Sequence, residues 1–117
     1  YAARGTEGRL YPWGDVDPTN QLCWRHVGGT CPVDAHPGGR TAQGLSDMAG
    51  NVWQWTSSLY TECYGDGCAK SSQHRVCRGG AWDSNSPAHV RSSFRLRSLP
   101  RNEILSVMGF RCVASPR

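Results

Sequence analysis

Six cysteines and four histidines have the widest chemical reach in this 117-residue chain, and their spacing decides between metal binding, redox chemistry and cross-linking. Cys23 and Cys31 bracket Trp-Arg-His-Val-Gly-Gly-Thr, and Cys63 and Cys68 bracket Tyr-Gly-Asp-Gly. No Cys-x-x-Cys is present, and His26, His36, His74 and His89 lack the spacing of a zinc ligand set. Two small glycine-containing loops, each closed by a disulfide in an oxidising compartment, are the stronger reading. By the loop-entropy relation each closure stabilises the fold by roughly 2 to 2.6 kcal/mol. Cys77 and Cys112 remain, each in an expected strand. No Ser/His/Asp triad or Walker motif can be traced, and Gly28-Gly29 and Gly38-Gly39 read as turn pairs.

The elements that must hold these residues are short. Fourteen glycines and seven prolines punctuate nearly every stretch, and mean hydropathy is −0.56. Such a composition suits a turn-rich domain with few long helices. Strands are expected at Asn51–Thr56, Arg75–Arg78, Val90–Phe94 and Gly109–Val113, with loop over 16–44 and a polar loop over Tyr64–His74. The class is α+β, mostly short β-strands and irregular loops, in one domain spanning 1–117 with a modest core. Within Asn51–Thr56 the period of two puts Trp53 and Trp55 on one face as a core platform and Val52 and Gln54 on the other. Trp24, in an exposed-looking loop, is the better tryptophan for a ligand contact.

Net charge is +4, and of the 13 basic residues only Lys70 is a lysine. A surface for nucleic acid usually mixes Lys and Arg, whereas arginine alone suits forked bonding to carboxylates and backbone carbonyls. Nucleic acid is therefore not an expected partner. Arg78 and Arg111 read as structural, and the other arginines of the C-terminal third stay open between structure and an anion-attracting patch. No apolar run approaches the ~20 residues of a membrane span.

Gly44-Leu-Ser-Asp-Met-Ala-Gly-Asn-Val-Trp-Gln-Trp55, Arg78-Gly-Gly-Ala-Trp82 and Gly109-Phe-Arg-Cys112 follow one another, preceded by Tyr1-Ala-Ala-Arg-Gly5, Leu10-Tyr-Pro-Trp-Gly-Asp15 and Pro32-Val-Asp-Ala35. Together they resemble the formylglycine-generating enzyme, or sulfatase-modifying factor, family, which has a C-type-lectin-like fold. The resemblance covers essentially the whole chain and implies the C-terminal portion of a larger protein. In the family the cysteine matching Cys112 often pairs with one further upstream, so Cys112 either bonds Cys77 here or stays free.

The copper oxidases of the family use a pair of thiolates, which suit Cu(I). Counting from Gly79-Gly80, those positions are Ser84 and His89, and the preceding Ser is Ala81. Copper and formylglycine generation are therefore not expected, and the chain reads as non-catalytic. The sulfoxide-synthase branch takes its iron ligands largely from a separate N-terminal domain. The resemblance also implies a Ca2+ site at Asp47, the carbonyls of Gly50 and Val52, and Gln54, the last a neutral residue where the family has a carboxylate, so binding should be weak or absent. The enzymes build their groove over the segment 83–107. A ligand, whether protein, peptide or small molecule, is expected there on Ser84, Asn85, His89, Arg91, Phe94, Leu96, Leu99 and Arg101. The expectation is thus an exported binding domain, secreted, periplasmic or at the cell surface. The alternatives are a fragment of an oxidase or sulfoxide synthase, and a diversity-generating-retroelement protein displaying a variable surface.

Overall fold

A computed structural model describes residues 1–98 and 106–114, with the side chains of 71 and 72 left aside. Strand β1 (Trp53–Thr61) and strand β2 (Lys70–Arg78) form an antiparallel hairpin, with Gln54 opposite Arg78, Trp55 opposite Cys77 and Thr61 opposite Lys70. Strand β3 (Leu96–Ser98) adds antiparallel to β2, and strand β4 (Met108–Gly109) pairs parallel with β1, giving the sheet order β3-β2-β1-β4. Among the described residues the helical content is two 3-10 turns, Pro37–Gly39 and Pro87–Val90. The mostly strand-and-loop character is as expected, and the helical part of an α+β class is represented here only by those turns. No helix among the described residues is long and apolar enough to cross a membrane.

The hairpin is longer than its sequence suggests. Strand β1 runs on to Thr61 and β2 begins at Lys70, so part of the polar Tyr64–His74 stretch is strand. A disulfide between Cys63 and Cys68 explains the extension, because it closes the tip between the paired ends Thr61 and Lys70. Strand pairing beyond that point has no further loop entropy to overcome. Residues 90–94, by contrast, are not a strand. Pro87 at the first helical position and the Ser86 hydroxyl, which accepts from the Ala88 amide, start a 3-10 turn instead. The backbone then spends its groups outside a ladder: Ser92 N–H donates to Leu10 O at 2.7 Å, and Arg78 Nη1 donates to Ser92 O and Phe94 O at 3.1 and 3.2 Å.

Two apolar clusters form the core among the described residues. One gathers Tyr11, Leu22, Ala49 and Val90, with Trp13 and Trp24 against it; the other gathers Trp53, Cys77 and Ala81, with Trp55, Phe94 and Leu96 among its neighbours. Trp53 and Trp55 thus form the expected platform. Trp24, expected to face a ligand, is half-buried, with its indole N–H donating to Thr19 O at 2.9 Å and Arg25 stacked 4.2 Å from its ring. The second disulfide joins Cys23 to Cys31. Cys77 is buried and Cys112 exposed, and they are not bonded to each other.

Non-reducing peptide mapping is expected to recover Cys23–Cys31 and Cys63–Cys68 as linked peptides. Replacing either pair with alanine should lower the unfolding free energy by roughly 2 kcal/mol in a urea titration; a free thiol at any of the four would contradict this framework.

Candidate functional site

The turn that follows β2 carries the positions where the family resemblance expects thiols. Ala81 is fully buried, and its N–H donates to Ser84 Oγ at 2.9 Å while Ser84 N–H returns to Ala81 O at 3.0 Å. Ser84, expected to face a ligand, is only 5% exposed. Its hydroxyl is consumed by the turn, so Ser84 serves the fold and not a binding surface. The 23–31 loop lies alongside: Arg25 N–H donates to Ser84 O at 3.0 Å, His26 N–H to Trp82 O at 2.8 Å, and Arg25 Nη2 to the carbonyl of Asn85 at 3.2 Å. Asn85 is exposed, but its backbone is held by this contact.

His89 is half-buried, its ring centroid 5.1 Å from that of Phe94 and 6.1 Å from that of Trp53. Phe94 in turn lies 5.8 Å from Trp53, so the imidazole joins an aromatic group that caps the second core cluster. Leu96 packs against the same cluster and pairs with Cys77. Leu99 and Arg101 fall outside the described residues.

Of the expected contacts, Arg91 and Phe94 meet in an open depression of about 520 Å³. Arg4, Tyr60, Tyr64 and Arg95 line it too, with Ala88 and Ser93. Sequence reasoning missed the two tyrosines and Arg4, because only the long β1 and the fold-back of the first residues bring them to Phe94. The crowding of arginine in the C-terminal third signals Arg91 and Arg95, and nothing in the sequence signals the tyrosines or Arg4. Arg95 is fixed tightly: its guanidinium carbon lies 4.2 Å from the Tyr64 ring centroid and 5.2 Å from that of Tyr60, and Nη1 donates to Thr61 O at 2.9 Å.

The residues expected to hold Ca2+ are brought together differently. Asp47 has φ 54°, and its carbonyl accepts from Gln54 Nε2 at 2.7 Å and from Arg111 Nη2 at 3.3 Å. Arg111 also donates through Nε to Gln54 Oε1 at 2.9 Å and through Nη2 to Ser46 O at 2.8 Å. Asp47 Oδ2 accepts from the Asp34 amide at 3.3 Å. Nearby Asp34 is held below the usual carboxylate range by a hydrogen bond with Ser46 and then by the Arg40 guanidinium. Ca2+ needs six to eight oxygens with enough negative charge. Here a fixed guanidinium bonds the Gln54 oxygen and the Asp47 carbonyl, and Asp47 is the sole carboxylate of the four residues, so the set as arranged does not fit Ca2+.

One cluster of metal-ligating atoms does occur among the described residues. Ligand atoms of Cys23, His26 and Cys31 lie within 4.8 Å of one another. The two sulfurs are joined as a disulfide, which removes the thiolates zinc would require.

Residues 1–116 match the family model of the sulfatase-modifying factor enzyme 1-like domain. The chain belongs to that family. Its relatives include a hercynine oxygenase of Mycolicibacterium thermoresistibile, 39% identical over 63% of this chain and 20% of its own length. The inactive Cα-formylglycine-generating enzyme 2 of Bos taurus is 31% identical over 97% of this chain and 40% of its own length. Among solved structures, Treponema denticola variable protein 1 superposes with a TM-score of 0.75 at 24% identity, over 94% of this chain and 42% of that one. CarF superposes with 0.63 at 24% identity, over 91% and 37%. These likenesses establish the fold as formylglycine-generating-enzyme-like. The chain spans no more than about two fifths of the relatives named here.

Two outcomes test this geometry. Ser84→Ala should lower stability by about 1 to 3 kcal/mol, since it strands the buried Ala81 N–H; a neutral result in thermal unfolding would return Ser84 to the surface. Millimolar Ca2+ should leave the wild-type Tm unchanged, whereas a rise that Asp47→Ala abolishes would show that the ion displaces Arg111.

Proposed function

We propose that this chain is a non-catalytic binding domain of the sulfatase-modifying factor family, working outside the reducing cytosol. The observation that carries the reading is the turn at 81–84. Where the copper oxidases need thiols, this chain has a hydroxyl already bonded to a buried amide and an imidazole packed against Phe94 and Trp53. Neither group exchanges disulfides with a substrate cysteine. The two disulfides fit an oxidising compartment. The Bos taurus relative described as inactive, which matches nearly the whole chain, supports the loss of catalysis.

The ligand is taken beside the old catalytic position, on the face formed by Arg91, Phe94 and Arg95 with Tyr60 and Tyr64. An open depression of this size accommodates a small molecule or a peptide side chain. His89 backs that face through Phe94, and Leu96 supports it from the core. Asn85 stands at the neighbouring turn.

A second reading rests on one specific finding, the 39% identity to a hercynine oxygenase. On that reading the chain supplies one part of an iron enzyme whose ligands lie in other sequence.

Purified protein should show no copper-dependent conversion of a cysteine peptide to an aldehyde and no tight Cu(I) binding in a competition titration with a chromogenic chelator. Copper-dependent turnover that survives Ser84→Ala would overturn the binding-domain reading, as would oxygenation of hercynine by a longer protein containing this chain.

A further inference from the structure

The depression beside β1 has a charge pattern that its neighbours do not neutralise. Arg4, Arg91 and Arg95 all line it, and no Asp or Glu does. The ion pairs found among the described residues use other arginines: Arg9 with Glu7, Arg40 with Asp34 and Arg97 with Glu62. Three guanidinium groups brought together without a counter-charge repel one another, and the fold accepts that cost on a chain already at +4.

The three are not equivalent. Arg95 is clamped between Tyr60 and Tyr64 and tied through Nη1 to Thr61, so its planar fork is already ordered before any ligand arrives. Little side-chain entropy remains to be lost there on binding. Arg4 and Arg91 are exposed residues of the same lining. Tyr60, Tyr64 and Phe94 supply aromatic walls for whatever carries the charge.

Resting on the binding-domain reading above, we infer that the Arg4–Arg91–Arg95 depression is a site for a tetrahedral oxyanion, a phosphate or sulfate ester on an aromatic or apolar body. Forked N–H donors match such oxygens bidentately, and charge-assisted bonds of this kind exceed neutral ones in strength. The ring of the ester lies against Phe94 and the tyrosines. Phosphate and sulfate esters share this chemistry and differ in net charge.

Isothermal titration of the folded protein with phenyl phosphate, phenyl sulfate and phenol tests the inference. Both esters should bind and phenol should not, and raising the salt concentration should weaken the esters. Arg95→Met should weaken them by about tenfold or more, Arg91→Ala and Arg4→Ala by less, while Arg40→Ala, which lies outside the depression, should leave them unchanged. Arg95→Lys, which keeps charge but loses the fork, should recover only part of the affinity and guards against a folding defect in Arg95→Met. A stronger response to one ester identifies whether phosphate or sulfate is preferred. Equal binding of phenol, absence of binding by either ester at millimolar concentration, or indifference to Arg95→Met would overturn the inference. Should a neutral ligand bind through Phe94 without feeling Arg95→Met, the binding-domain reading would stand and the oxyanion alone would fall.

Discussion

The chain converges on the backbone and side chain of Asn51. Its N–H donates to Cys23 O at 2.9 Å, its carbonyl accepts from Trp82 N–H at 2.9 Å, and its side-chain Oδ1 accepts from Cys31 N–H at 3.0 Å. One residue, 9% exposed, thereby ties the disulfide loop, the entry to β1 and the turn after β2. The preceding Gly50 makes the convergence possible. With φ 76° and N–H donating to Gly79 O at 2.8 Å, it passes so close to Cys23 O that an added Cβ would come within 2.5 Å. The left-handed backbone at 50 and 51 is held because both its N–H groups and the Asn51 carbonyl are answered from distant segments. Trp53, the buried start of β1, depends on that turn for its place in the core.

Arginine is the second means of order. In a fold with little regular ladder, many carbonyls need donors from elsewhere, and the long forked side chain reaches them. Arg78 reaches the carbonyls of Ser92 and Phe94, Arg75 that of Ser57, Arg95 that of Thr61, and Arg111 those of Ser46 and Asp47. A lysine offers no planar fork for such paired contacts. The same residue type that crosslinks irregular backbone also furnishes the uncompensated charge beside Phe94, so scaffold and binding face draw on one chemistry.

At the two places where the family resemblance implies thiolates or an ion, this chain spends its polar groups on itself. At 81–84 the turn needs an acceptor for a buried amide, and Ser84 supplies it. The Asp47 carbonyl accepts from Gln54 and Arg111, and Arg111 also bonds the Gln54 side-chain oxygen. In both places hydrogen bonds internal to the chain hold the backbone.

Much was determined by sequence alone. The motif order establishes family and fold type, since such glycine and tryptophan spacings encode turns and core contacts that are local in the chain. The two disulfides follow from short loops whose ends cannot stray far apart, and the structural roles of Arg78 and Arg111 follow from their places in those motifs. Other features depended on long-range placement. Ser84 and Asn85 look alike as small polar residues, but only packing against Ala81 and Arg25 buries one and exposes the other. The 90–94 stretch has strand-like residues, yet Arg78 and Leu10 capture its polar groups before a ladder can. Tyr60, Tyr64, Arg4 and Phe94 are separated by up to most of the chain, and nothing local marks them as neighbours. The β1–β2 hairpin and the fold-back of the first residues bring them together, because hydrophobic burial acts on surfaces in space and is blind to separation along the sequence.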